Sequence, residues 1–215
     1  MDTWDRNRLW QAIRTERMRL ADDFADLTAE QWQTRSLSSD WTVEETLAHL
    51  TAAGSTGTLA WLRSMVGARF RTNVHNQRLL DRHKGATPAE TLLLFRTTIP
   101  SQVEPTPTTW AWLGEVVVHG MDIRHPLGIA SEPDHDAVEQ VALSYVAKDW
   151  AVNSSSAVEG LELVATDGVF RYGEGPEVTG RTLELVMAMA GRSAYVERLE
   201  GPGVETLKER FTRAA

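Results

Sequence analysis

Within Leu113 to Gly128, LGEVVVHGMDIRHPLG, a glutamate and a histidine bracket three valines. On a helix, Glu115 and His119 are four residues apart and share one face, and Asp122 lies three further along. A carboxylate and an imidazole held this way suit a single metal ion, an arrangement that helix bundles use. The valines between them favour burial and would meet neighbouring helices. The same spacing suits a Glu–His hydrogen bond on a helix surface, so the residue types alone leave both readings open.

Another histidine stands in a distinctive setting. His49, in WTVEETLAHLTAAG, lies off the apolar stripe of its segment, and its helical neighbours Glu45, Ala52, Ala53 and Thr56 are small or polar. Small neighbours leave room for a ligand or for a close helix, and a histidine hydrogen-bonded inside a bundle fits equally well. His75, His83, His125 and His135 fall in polar stretches or beside turns, and we read them as surface residues.

The composition narrows the chemistry. The 215 residues contain no cysteine, which excludes disulfides, thiolate-ligated zinc and a cysteine nucleophile. Thiol chemistry would need a thiol brought in as a small molecule. Lys and Arg number 22 against 30 Asp and Glu, a net charge of −8, which argues against a nucleic-acid partner because phosphate contacts need a positive footprint. The basic run RFRTNVHNQRLLDRHK reads as a solvated helix and loop. No apolar run approaches a membrane span, and the start MDTWDRNRLW is too polar for a signal peptide. We expect a cytoplasmic protein with no membrane partner.

The elements that must position these residues are mainly helices. From Trp10, the residues Ile13, Leu20, Phe24 and Leu27 mark one apolar face of a long first helix. TAEQW carries a capping-box pattern and starts a short helical piece, and Thr42 with Glu45 forms another capping box. The second box opens a helix whose stripe includes Val43, Leu47, Leu50, Trp61 and Met65. TPAETLLLFRTT gives a third helix, with Thr87 as N-cap and Pro88 at its first position. After a proline-rich connection, Trp110 to Arg124 form a fourth, stopped by Pro126 and Gly128. Four such helices suggest an up-and-down antiparallel bundle.

DHDAVEQVALSYVAKDW adds a helix capped by Asp134 or Asp136. Beyond Asn153 the pattern changes: GLELVAT alternates, DG marks a turn, and VFRYG returns as a hairpin partner. GEGPEVTG reads as loop, TLELVMAMAG as a helix ending at Gly191, and GPGVETLKERF as a final helix. The fold class is therefore α+β, with a helical bundle over residues 1–150 and a small α+β domain over 151–215.

Taken together, LTAEQWQTRSLSSDWTVEETLAHL, GEVVVHGMDIRHPLG, GLELVATDG and GEGPEVTG resemble the mycothiol-dependent maleylpyruvate isomerase family, whose N-terminal domain is a DinB-like metal-binding four-helix bundle. The likeness runs over nearly the whole chain. It includes one histidine late in the second bundle helix and a Glu-x-x-x-His pair in the fourth, and so implies His49, Glu115 and His119 as metal ligands. The chain departs from the family at two places. Ser38-Ser39-Asp40-Trp41 stands where a Cys-Pro-Gly-Trp-like turn is usual, and His125 replaces an arginine in the DIRRPLG pattern. The isomerases also use an arginine from the C-terminal domain, for which Arg181, Arg192 and Arg198 are candidates.

The resemblance implies a divalent metal, with zinc favoured, and a mycothiol-like thiol as cofactors. Two histidines and one glutamate leave one coordination position open, as in catalytic zinc sites. A free thiol has a pKa near ~8.5, and a bound cation deprotonates it. In an isomerase the thiolate adds to a conjugated double bond, allows rotation and leaves; in a transferase it stays on a small electrophile. A non-catalytic metal- or ligand-binding module and a metal hydrolase using bound water are the competing readings. Asp122 either orients His119 or pairs with Arg124 or Arg96, and Trp110 or Trp112 is placed to line the pocket.

Overall fold

The computed structural model describes residues 4–38 and 41–214. The chain divides into two compact units, Trp4–Pro133 and Asp134–Ala215. The first holds seven helices among its described residues: α1 (Arg6–Asp23), α2 (Ala29–Gln33), α3 (Val43–Ser55), α4 (Thr58–Gly67), α5 (Thr72–His83), α6 (Pro88–Thr97) and α7 (Thr109–Leu127). Four of them make the bundle, with α1 and α3 each packed on both α6 and α7. The apolar face of α1 enters this core through Trp10, Ile13, Leu20 and Phe24, all buried. Val43, Leu47 and Leu50 do the same from α3.

Local chemistry fixes where these helices begin. Thr28 and Thr42 each complete a capping box, with Gln31 and Glu45 as the reciprocal residues. Thr87 caps α6, with Pro88 in its first turn. At the far end of α7, Gly128 takes the left-handed conformation with φ 65°, which a residue without Cβ adopts freely. Pro126 is accommodated inside the last turn.

The helix opened by Thr42 does not continue to Met65. It ends at Ser55, and α4 starts afresh after Gly57. The intervening Gly-Ser-Thr-Gly run is made of poor helix formers. Trp61 and Met65 therefore sit on a separate helix and are half-buried. The basic run contains α5, which packs on α3 and α4 and buries His75, Leu79 and Leu80. His75 is thus not a surface residue. Two adjacent leucines and one histidine carry the buried face of α5, too sparse a pattern to read as amphipathic. His83 and His125 are half-buried, and His135 is exposed.

The second unit contains α8 (His135–Ala147), α9 (Ser154–Ala157), β1 (Glu162–Ala165), β2 (Arg171–Tyr172), β3 (Glu177–Gly180), α10 (Thr182–Met189), α11 (Ser193–Val196) and α12 (Val204–Ala214). Its sheet has the order β2-β1-β3, with β1 antiparallel to β2 and parallel to β3. The hairpin is the one expected from the alternating segments. The strand β3, by contrast, lies in the GEGPEVTG stretch read as loop. Its two buried positions are Val178 and Gly180, so the inward face carries one apolar side chain and one glycine. A Cβ on Gly180 would lie 2.4 Å from Leu199 Cδ2. Packing demands the glycine that hides the alternation.

Asp134 caps α8 by accepting from the backbone N–H groups of Asp136 and Ala137. Residues Ala137, Val138, Val141 and Ala142 are buried, and α8 packs against α10. The helix belongs to the second unit, so the division falls at Pro133 rather than near residue 150. An apolar period identifies a buried face without saying which partner covers it. The architecture is a mostly helical α+β fold with one three-stranded sheet. Among the described residues no helix is long and apolar enough to cross a membrane.

Candidate metal centre

Helix α7 carries most of the site. Val116, Val117 and Val118 are all buried; they sweep around the helix and leave one narrow sector for Glu115 and His119, one turn apart. That sector faces His49 on α3. His49 Nε2 lies 3.1 Å from Glu115 Oε2, and His119 Nε2 lies 3.2 Å from the same oxygen. One ligand atom from each of the three side chains falls within 4.8 Å of the others, and among the described residues this is the group of three His, Cys, Asp or Glu side chains that converges in this way. The three side chains are 12–17% exposed. They are sheltered from bulk water yet not sealed from it.

Asp122 completes the arrangement. Its side chain is fully buried and accepts a hydrogen bond from His119 Nδ1 at 2.9 Å. Arg124 does not pair with Asp122. Its guanidinium is itself buried and gives two hydrogen bonds to Asp23 Oδ2, at 2.8 Å from Nε and 2.6 Å from Nη2. Arg96 instead donates to the Ala21 carbonyl. The Asp-Ile-Arg stretch thus separates two duties: Asp122 holds a candidate ligand, and Arg124 ties the end of α7 to the end of α1.

The electrostatics follow from this packing. Burial pushes the Glu115 carboxyl up, but hydrogen bonds from His119 and His49 overcome it and hold the group well below the ordinary carboxylate range. Burial pushes His119 down, and the bonds to Asp122 and Glu115 outweigh it, raising the group to about 9. For His49 burial prevails over the Glu115 bond, and the pKa falls below the ordinary histidine value.

Two imidazole nitrogens and one carboxylate oxygen form a donor set that suits a divalent transition metal, zinc in particular. Because His119 Nδ1 is committed to Asp122, its Nε2 is the nitrogen directed at the shared point, the usual carboxylate–histidine arrangement behind a metal ligand. The residues therefore fit the ion.

Trp41 is an aromatic neighbour of both histidines. The Trp41 ring lies 4.8 Å from the His49 ring and 6.3 Å from that of His119, centroid to centroid. Trp110 and Trp112 are half-buried, and the Trp112 indole donates to the Thr106 carbonyl. The available sign of Trp41 was its place next to the Thr42 capping box, at the entrance to the helix carrying His49. Ser39 and Asp40, within the departing Ser-Ser-Asp-Trp turn, lie outside the described residues.

The three arginine candidates make local contacts within the second unit. Arg181 lies at the start of α10, with Nε 3.5 Å from Asp167 Oδ2. Arg192 donates to the Ala190 carbonyl, and the Arg198 guanidinium stands over the Tyr195 ring.

No protein-family model matches the sequence, and no curated protein is significantly similar to it. Two solved structures match by shape. They are the mycothiol-dependent maleylpyruvate isomerase, with a TM-score of 0.64 at 14% identity, and a histidine-to-alanine mutant of that enzyme, with a TM-score of 0.65 at 13% identity. Each likeness covers 94% of this chain and 96% of the other. At such identities the likeness is one of fold: the chain has the fold of the mycothiol-dependent maleylpyruvate isomerase over nearly its entire length.

Proposed function

We propose that the chain is a divalent-metal-dependent enzyme of the mycothiol-dependent maleylpyruvate isomerase family, with His49, Glu115 and His119 as ligands. Its reaction is isomerisation of, or S-transfer to, a small electrophile, with a low-molecular-weight thiol as nucleophile. The observation that carries this reading is the convergence of three ligand atoms from α3 and α7, on a fold shared with a mycothiol-dependent enzyme. The absence of cysteine from the sequence agrees with it, because a thiol nucleophile then has to come from outside the chain. Zinc is the ion the donor set favours, and the cytoplasm is the compartment that suits a reduced small thiol.

When bound, the ion supplies an open position that lowers the pKa of a thiol, and the thiol supplies the nucleophile. The chain's own residues prepare that position. Glu115 contributes a carboxylate held ionised by two imidazoles. Asp122 fixes the ring of His119 from behind. The buried valines hold α7 against its neighbours, so the ligands project from a rigid element.

The test is turnover of a maleyl-type conjugated acid by zinc-loaded protein, with and without mycothiol. Isomerisation or adduct formation that needs both thiol and metal supports the proposal. Thiol-independent hydrolysis, with water added across a broken bond, identifies a hydrolase. Metal binding with no turnover of any electrophile, in the presence of thiol, identifies a binding module.

A further inference from the structure

The two candidate histidine ligands are held by different means. His119 is fixed through its Nδ1 by a buried carboxylate. For His49, among the described residues, the hydrogen bond found is the one from Nε2 to Glu115, and no hydrogen-bond partner of its Nδ1 is found among them. What lies against the ring is Trp41. The indole and imidazole centroids are 4.8 Å apart with planes inclined by 36°, a tilted, offset contact. His119 also meets the His49 ring, edge-on at 4.8 Å and 73°. The His49 ring thus touches both an indole and an imidazole, whose own centroids are 6.3 Å apart.

Trp41 is half-buried and is tied down by hydrogen bonds from its ring and its backbone. Its indole Nε1 donates to Gln77 Oε1 on α5 at 3.3 Å, and Gln77 Nε2 donates in turn to Asp81 Oδ1 at 2.9 Å. Its backbone N–H donates to the Ser38 carbonyl, and its own carbonyl accepts from Ser36 N–H at 2.9 Å. Arg35 and Thr42 close this loop with an antiparallel bridge, and Thr42 caps α3. The same loop reaches the other ligand, because Leu37 N–H donates to the backbone carbonyl of Asp122 at 3.0 Å. One short loop therefore touches the supports of both histidines.

We propose that Trp41 is a positioning residue of the metal centre, fixing the plane of the His49 imidazole by ring packing as Asp122 fixes His119 by a hydrogen bond. This inference rests on the metal-centre reading given above. Ligand supports outside the coordination sphere commonly change metal affinity by about 10–100-fold. Most of this effect at Trp41 belongs to the ring, and a smaller part to the Gln77 bond that holds the ring in place.

The experiment is cobalt(II) titration of the full chain, followed by visible absorption and by competition with a chelator. Wild type is compared with Trp41→Ala, Trp41→Phe and Gln77→Leu, and thermal melting of each protein before metal addition separates folding from binding. The expected result is about tenfold or greater loss of affinity and an altered cobalt spectrum in Trp41→Ala, with most of both recovered in Trp41→Phe. Gln77→Leu loses affinity by a smaller factor. Wild-type affinity and spectrum in folded Trp41→Ala overturns the proposal while leaving the metal centre standing. If Trp41→Ala does not fold, an unchanged Gln77→Leu titration overturns it. A wild-type chain that binds no cobalt overturns the metal centre and this proposal together.

Discussion

The Nδ1 of His119 lies 2.9 Å from Oδ2 of Asp122, a carboxylate with no solvent exposure at all. The two residues are one turn apart on α7, so the pairing is built into a single rigid element and needs no tertiary adjustment. A buried carboxylate so close to an imidazole selects the tautomer with hydrogen on Nδ1 and directs Nε2 at the point shared with Glu115 and His49.

Asp122→Asn keeps the shape and an acceptor oxygen but removes the charge behind His119. The expected result is a loss of zinc affinity of about tenfold or more, with the bundle still folded. Chelator-competition titration of the variant beside wild type measures it. An unchanged affinity would show that His119 needs no support from Asp122.

The pair formed by Arg124 and Asp23 governs stability rather than chemistry. The guanidinium is 1% exposed and the carboxylate 18%, so truncating the carboxylate leaves a buried cation without its partner. Asp23→Ala is expected to destabilise the chain by about 3 kcal/mol, at the lower end for breaking a buried pair because the site borders on solvent. Urea unfolding gives the value, and a loss below about 1 kcal/mol would contradict the assignment.

His75 gives the fold a dependence on pH. Burial, with a further contribution from His49, holds its pKa below the ordinary 6.5. A group whose folded pKa is depressed binds protons more readily in the unfolded chain, so stability is complete above pH 6.5 and falls as the pH drops toward the folded value. In His75→Gln that part of the acid sensitivity disappears. Melting curves between pH 7.5 and roughly 5 should therefore fall more steeply for wild type than for the variant; parallel curves would exclude His75 as the source.

Much of this molecule was legible in its residues. Thr28, Thr42 and Thr87 announced three helix starts, and Asp134 or Asp136 a fourth, because a capping side chain acts within three residues of itself. Glu115 and His119 were legible as a pair because helical spacing alone makes them neighbours. Their meeting with His49 across 66 residues of sequence depends on how α3 packs against α7, and no local pattern reports that; the family resemblance supplied it. Trp41 and His75 were missed as well. Each gains its role from a ring contact that periodicity does not report: Trp41 with His49 on the helix it precedes, and His75 on α5 with Trp61 on α4, where the rings meet edge-on at 5.4 Å. The strand β3 was hidden because its second inward residue is Gly180.

The measurement that bears most directly on the central claim is metal content by elemental mass spectrometry on tag-free protein, wild type beside His49→Ala and His119→Ala. The account predicts about one zinc or similar divalent ion per chain in wild type, lost in both variants while their melting curves still show a folded bundle. Wild type without metal after zinc is supplied, or variants that retain a full equivalent, would contradict it. Glu115 would then be an ionised carboxylate shared by two histidines and nothing more.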